Sequence, residues 1–201
     1  AKKNNVSGFA GVKNPYLYGE VSISRTARYF PATIIFKPFV ILSAIFLFLY
    51  WINNLNFFYE LKNRNIVSSF HKNFFYFGIL SCIFLILHAA LLGVDFDSKL
   101  FQLLRRSIIV LFIFFEIFAQ IYLTKNLFKF RNSIRSYVHP IVINIKIIFV
   151  SSIFCVTIVI FCLLAFADMS SNFKHVLEWN YFSILLIYYL LSRLLWKAKI
   201  H

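Results

Sequence analysis

Hydrophobic positions fall in long unbroken runs separated by short polar segments. Thr33 to Trp51 is the first run, with Lys37 its one charge and Pro38 its one helix breaker. A polar segment, Ser22 to Arg28, and Pro31 precede it. A helix rises about 1.5 Å per residue, so roughly 20 apolar residues cross a ~30 Å hydrocarbon layer. The same reasoning predicts four further spans, and the five helices are expected near residues 33–58, 73–93, 103–127, 140–167 and 177–197. In lipid only a helix pairs its own N–H and C=O groups within one segment. The expected fold is therefore all-α, a polytopic bundle of five transmembrane helices over 33–201, preceded by a polar, basic tail over 1–32.

Composition supports a membrane protein. Of 201 residues, 61% are hydrophobic and 14% charged, too apolar for a soluble domain of this size. The 27 Phe and 11 Tyr accompany many Ile, Leu, Asn and Lys, a set favoured by A/T-rich codons, so no function is assigned to the aromatics as a class. The chain has only 5 Gly. Helix seams in lipid usually use small residues, so their scarcity implies bulky, loosely ridged packing.

The net charge of +14 would suggest nucleic acid in a soluble protein; between hydrophobic spans it points to anionic lipid headgroups instead. Lys62, Arg64, Lys72, Lys125, Lys129, Arg131, Arg135, Arg193, Lys197 and Lys199 lie in the loops after the first and third spans or at the C-terminal end. By the positive-inside rule the C-terminus is then cytoplasmic or matrix-equivalent, although the basic N-terminal tail pulls the other way. Cys82, Cys155 and Cys162 lie in predicted spans without a CxxC pair, as apolar packing residues, and no metal site is expected.

Charges inside hydrocarbon are costly and call for a partner or a function. Glu116 and Lys146 sit at similar depth from the basic loop, so a structural ion pair helped by Gln120 and Asn144 is expected, with a proton or ion step as the chemical alternative. His88, Asp95, Arg105, Arg106 and His175 form an outer polar layer at the opposite ends of the helices. Haem b is weighed on His71, His88, His139 and His175 and disfavoured, because three of the four fall in loops or at interfaces. No nucleophile, phosphate loop or paired carboxylate is evident, so no enzyme activity and no cofactor beyond bound lipid are expected.

One family resemblance exists. Ile23, Ser24, Thr26, Pro31 and Phe36 fit the pattern I-S-x-T-G-x-x-x-P-x-x-x-x-F, with Ala27 in place of Gly. This resembles the opening of the second helix of the Frag/DRAM/Sfk family of polytopic membrane proteins. Gly78 to Cys82 resembles part of that family's third helix, and Glu178-Trp179 the start of its last. The similarity runs over about residues 21–196; the family's first helix and a histidine at the start of a later one have no counterpart beside Arg105 and Arg106. It implies six family helices less one, an outer location for Ser24, and a non-catalytic protein linked to lipid remodelling, lipid asymmetry or autophagy. The alternative is an accessory subunit of a larger membrane complex, such as a respiratory one.

Overall fold

The structure, a computed structural model, describes residues 14–19, 21–23, 27, 30–92, 94, 98–166 and 170–197, with only the backbone described for 102 and 161–166. A four-residue helix, α1 (Pro15–Tyr18), precedes five long ones: α2 (Ala32–Asn63), α3 (Asn73–Leu91), α4 (Lys99–Lys129), α5 (Pro140–Phe166) and α6 (Ser171–Leu194). Among the described residues there is no strand, only an isolated antiparallel bridge between Val138 and Trp196. The fold is all-α, and the expected helices are present with their ends shifted by a few residues.

Among the described residues four helices are long and apolar enough to cross a membrane: α2, α3, α4 and α5 as far as Ile160. The fifth expected span is a 24-residue helix of lower apolar content, because Lys174, Glu178, Asn180 and Arg193 interrupt it. It nevertheless runs the length of α5. Its start follows the end of α5 by a few residues, and its far end is bridged to the start of α5 through His139 N–H to Leu195 O (3.0 Å) and Lys197 N–H to Tyr137 O (3.0 Å).

Short connections make sequence neighbours antiparallel, and α3 packs against α2 on one side and more extensively against α4 on the other. On α2 the buried positions are Ala44, Leu47, Trp51, Asn54, Phe58 and Leu61, alternating steps of three and four along one stripe. Gly78 meets that stripe. A Cβ there would lie 2.4 Å from the Trp51 ring, so the α2–α3 crossing requires glycine. The small residues are few, but Gly78, Ser81, Cys82 and Ala89 are all buried on α3. Gly78 lies against Trp51 of α2 and Ser81 against Glu116 of α4, so small residues serve both packed sides of α3. Between α3 and α4 the aromatics form a ladder, Phe77 stacked on Tyr122 (5.6 Å) and Phe84 on Phe115 (5.4 Å).

The basic face, at the far ends of α2, α4 and α6, is held by polar ties. Asn126, 1% exposed, grips the loop before α3 through its Nδ2 donating to His71 O (2.8 Å) and its Oδ1 accepting from His71 N–H (3.3 Å). Lys197 Nζ donates to Arg135 O (2.7 Å) and Lys129 Nζ to Ser69 O (3.3 Å). At the opposite end, residues 14–19 and 21–22 lie across the start of α6. Trp179 Nε1 donates to Val21 O (2.9 Å), Asn180 Nδ2 donates to Tyr16 O (3.1 Å), and a ring nitrogen of His175 is 2.8 Å from Gly19 O. Gly19 ends α1 at φ +58°, where a Cβ would strike Asn172 O at 1.9 Å, so this close crossing also needs glycine.

Candidate functional site

Polar side chains inside the bundle collect in one layer between α3, α4, α5, α6 and the middle of α2. Glu116, 1% exposed, stands near the centre of α4 and receives three donors: Ser81 Oγ (2.7 Å), Gln120 Nε2 (2.5 Å) and the Tyr189 hydroxyl. The Ser81 hydroxyl is also 2.8 Å from Gly78 O. Gln120 lies one turn after Glu116 and also donates to the Tyr189 oxygen (3.3 Å). A carboxylate removed from water needs its lone pairs filled by donors, and this one has them from three helices.

Lys146, fully buried, belongs to a second cluster. Its Nζ donates to Ser192 Oγ (2.8 Å) and lies 4.3 Å from the Tyr188 ring centroid, a cation–π position. Ser192 donates to Tyr188 O (3.0 Å), and the Tyr50 hydroxyl from α2 donates to Ser192 Oγ (3.4 Å). Tyr50 and Tyr189 stand edge to face at 5.6 Å, so the two clusters share an aromatic wall.

Both charged groups thus face the interior, but they do not form an ion pair; α6 supplies a separate partner to each. Gln120 assists Glu116 as expected from its place one turn away. Asn144 does not assist Lys146 and is exposed. Two residues apart on a helix means about 200° around the axis, so burial of Lys146 turns Asn144 outward. Sequence reasoning missed Tyr50, Ser81, Tyr188, Tyr189 and Ser192. Their one signal was hydroxyls at helical spacing, Tyr188 and Ser192 four apart in the least apolar span.

Of the outer layer, His88 is buried, Arg105 and Glu178 are half-buried and engaged in polar interactions, and Arg106 is exposed. His175 and Trp179 hold the N-terminal segment. Ile23 is half-buried, Pro31 exposed and Phe36 half-buried. Ser24, Thr26 and Asp95 lie outside the described residues, as do the tail over 1–13 and the side chain of Cys162. Cys82 is buried at the α3 seam and Cys155 is exposed on α5. Among the described residues no three His, Cys, Asp or Glu side chains are grouped as metal ligands.

A small cleft opens beside Glu116, lined by Gln120, Val150, Tyr181, Leu185 and Tyr188 among others. Its volume is about 20 Å³, room for one water and for no organic substrate. No protein-family model, no curated protein and no solved structure matches the chain.

Proposed function

We propose that the chain is a non-catalytic, lipid-associated integral membrane protein of the kind the Frag/DRAM/Sfk resemblance implies. The observation that carries the membrane part is the surface: Ile34, Phe39, Phe46, Leu103, Ile148, Val159, Leu186 and Leu190 are all exposed, on every long helix but the short-faced α3, where Tyr76 and Ile83 take that role. Such an apolar circumference suits lipid tails. The family part is supported by placement. Trp179, from one segment that carries the resemblance, bonds Val21, which adjoins the other. The basic face belongs on the cytoplasmic or matrix-equivalent side by the positive-inside rule, against anionic headgroups. Native mass spectrometry after mild extraction tests this. A monomer or homo-oligomer retaining phospholipid is expected, and a lipid-free particle that keeps its fold in detergent would count against it.

A second reading, an accessory subunit of a larger membrane complex, is favoured by the first half of α2. From Ala32 to Ser43 no residue is buried, so a whole helix face stands clear of the chain's own helices. Co-migration with other chains in a native gel would select this reading over the stand-alone one.

A further inference from the structure

The basic face carries a cavity of its own, apart from the buried layer. It lies where the last turn of α2 and the loop after it meet the end of α4, and its volume of about 510 Å³ is that of a small-ligand site. Val67 and Phe130, 2% and 8% exposed, form its floor. The rim is polar: Lys62, Asn65, Ser68 and Ser133, all exposed, bring an ammonium, an amide and two hydroxyls. The structure gives none of these four side chains a hydrogen-bond partner among the described residues.

Backbone bonds fix the walls. α2 closes with Ile66 N–H on Leu61 O (2.9 Å) and Asn65 N–H on Lys62 O (3.0 Å), the Schellman pattern, and Asn65 takes the left-handed turn at φ +56°. The chain folds back at once, which sets Ser68 on the same cavity as Lys62. On the α4 side, Ile134 N–H bonds Phe130 O (3.0 Å) and the Ile134 side chain is fully buried, so Ser133 stands on an anchored turn. A site built in advance loses less entropy when it is filled.

Charge selects the occupant. Among the described residues no carboxylate lines the cavity, and Glu60, two residues before Lys62, is taken by Arg64 (2.5 Å). A second cation stands at the floor: Lys129 Nζ lies 4.9 Å from the Phe130 ring centroid and donates to Ser69 O (3.3 Å), next to Ser68. α2 and α4 both end here, and two helix C-termini together carry about one negative charge. The two ammonium groups exceed it. Depth agrees with a headgroup: Tyr59, one turn before Lys62, meets Phe70 (5.4 Å), and Phe57 meets Trp196 (4.8 Å) and Tyr137 (6.0 Å), an aromatic layer of the kind that marks the membrane interface.

We propose that this cavity binds a phosphate group, that of an anionic phospholipid whose headgroup carries no ammonium. Lys62, Ser68 and Ser133 supply donors to the phosphate oxygens, which are acceptors only. A headgroup with its own ammonium would bring a cation to a site that has two already and no carboxylate to meet it. The source of the phosphate rests on the lipid-associated reading; a water-soluble phosphate ester offers the same chemistry, and the test separates the two.

That test is native mass spectrometry of the full chain released from nanodiscs of phosphatidylcholine and phosphatidylglycerol in equal parts. The wild type should retain phosphatidylglycerol in preference. Lys62→Gln should weaken that preference about tenfold, the loss of one charge-assisted hydrogen bond. Ser133→Leu, which fills the cavity and changes no charge, should weaken it too, whereas Arg135→Gln removes one charge of the same face outside the lining and should leave it unchanged. All three positions are exposed, so the variants keep the fold. Excess glycerol 3-phosphate should leave the retained lipid in place; if it displaces the lipid, the phosphate site stands and its lipid occupant is overturned. Equal retention of the two lipids by the wild type, an equal loss in Arg135→Gln, or no loss in Ser133→Leu overturns the proposal and leaves lipid association intact. A wild type without lipid overturns that reading instead, and glycerol 3-phosphate binding, present in the wild type and lost in Lys62→Gln or absent from both, then decides on the cavity alone.

Discussion

The two halves of α2 show how differently one helix can be used. From Ala44 to Leu61 every third or fourth residue is buried, and Trp51 and Phe58 both meet Phe74 across the α2–α3 crossing. From Ala32 to Ser43 nothing is buried, though the residues are no less apolar. Hydrophobicity alone does not decide the difference, because lipid tails are as apolar as leucine. Shape does: the packed half meets Gly78, the one place on α3 where a ring fits against bare backbone. Polar ties follow the same division, with Tyr50 and Asn54 in the packed half and no buried polar group in the other.

Mutations can break this contrast in order of size. Trp51→Ala should be the most damaging, about 3–5 kcal/mol from lost contacts and the cavity left against Phe74 and Gly78, read as loss of helical signal on heating in detergent. Gly78→Ala should cost about 1–3 kcal/mol by pushing α3 off the same ring, and combining it with Trp51→Phe should recover part of the loss. On the basic face, Asn126→Ala removes both bonds to His71 and leaves its backbone groups unpaired, for about 1–3 kcal/mol, with faster hydrogen exchange of the 64–72 loop. At the small end, Phe39→Ala should stay within ~0.5 kcal/mol. A cost for Phe39→Ala equal to that of Trp51→Ala would mean the first half of α2 is packed after all, against a second chain.

The sequence made the helices legible because long apolar runs leave few other solutions in a membrane. Glu116, Lys146 and Gln120 were legible as buried for the same reason. Their partners were not. Depth along a helix can be counted from a loop, which put Glu116 and Lys146 at one level, but the direction a side chain faces depends on which neighbour its helix meets. Ile143, Lys146 and Val150, buried at steps of three and four, set the phase of α5 and exclude Asn144. The hydroxyls of α6 that serve both charges were hidden in the span whose polar residues made it look weakest.

In spite of those residues, α6 runs the full depth of the bundle and connects its two faces, tied to the N-terminal segment at one end and to the start of α5 at the other. Impermeant maleimide labelling of single cysteines at Ser170 and Lys197, in sealed vesicles and in a background with the native cysteines replaced, tests it directly. Ser170→Cys and Lys197→Cys should label from opposite sides, with Lys197→Cys on the same side as Ser68→Cys and Ser133→Cys. Labelling of both ends of α6 from one side would contradict the claim.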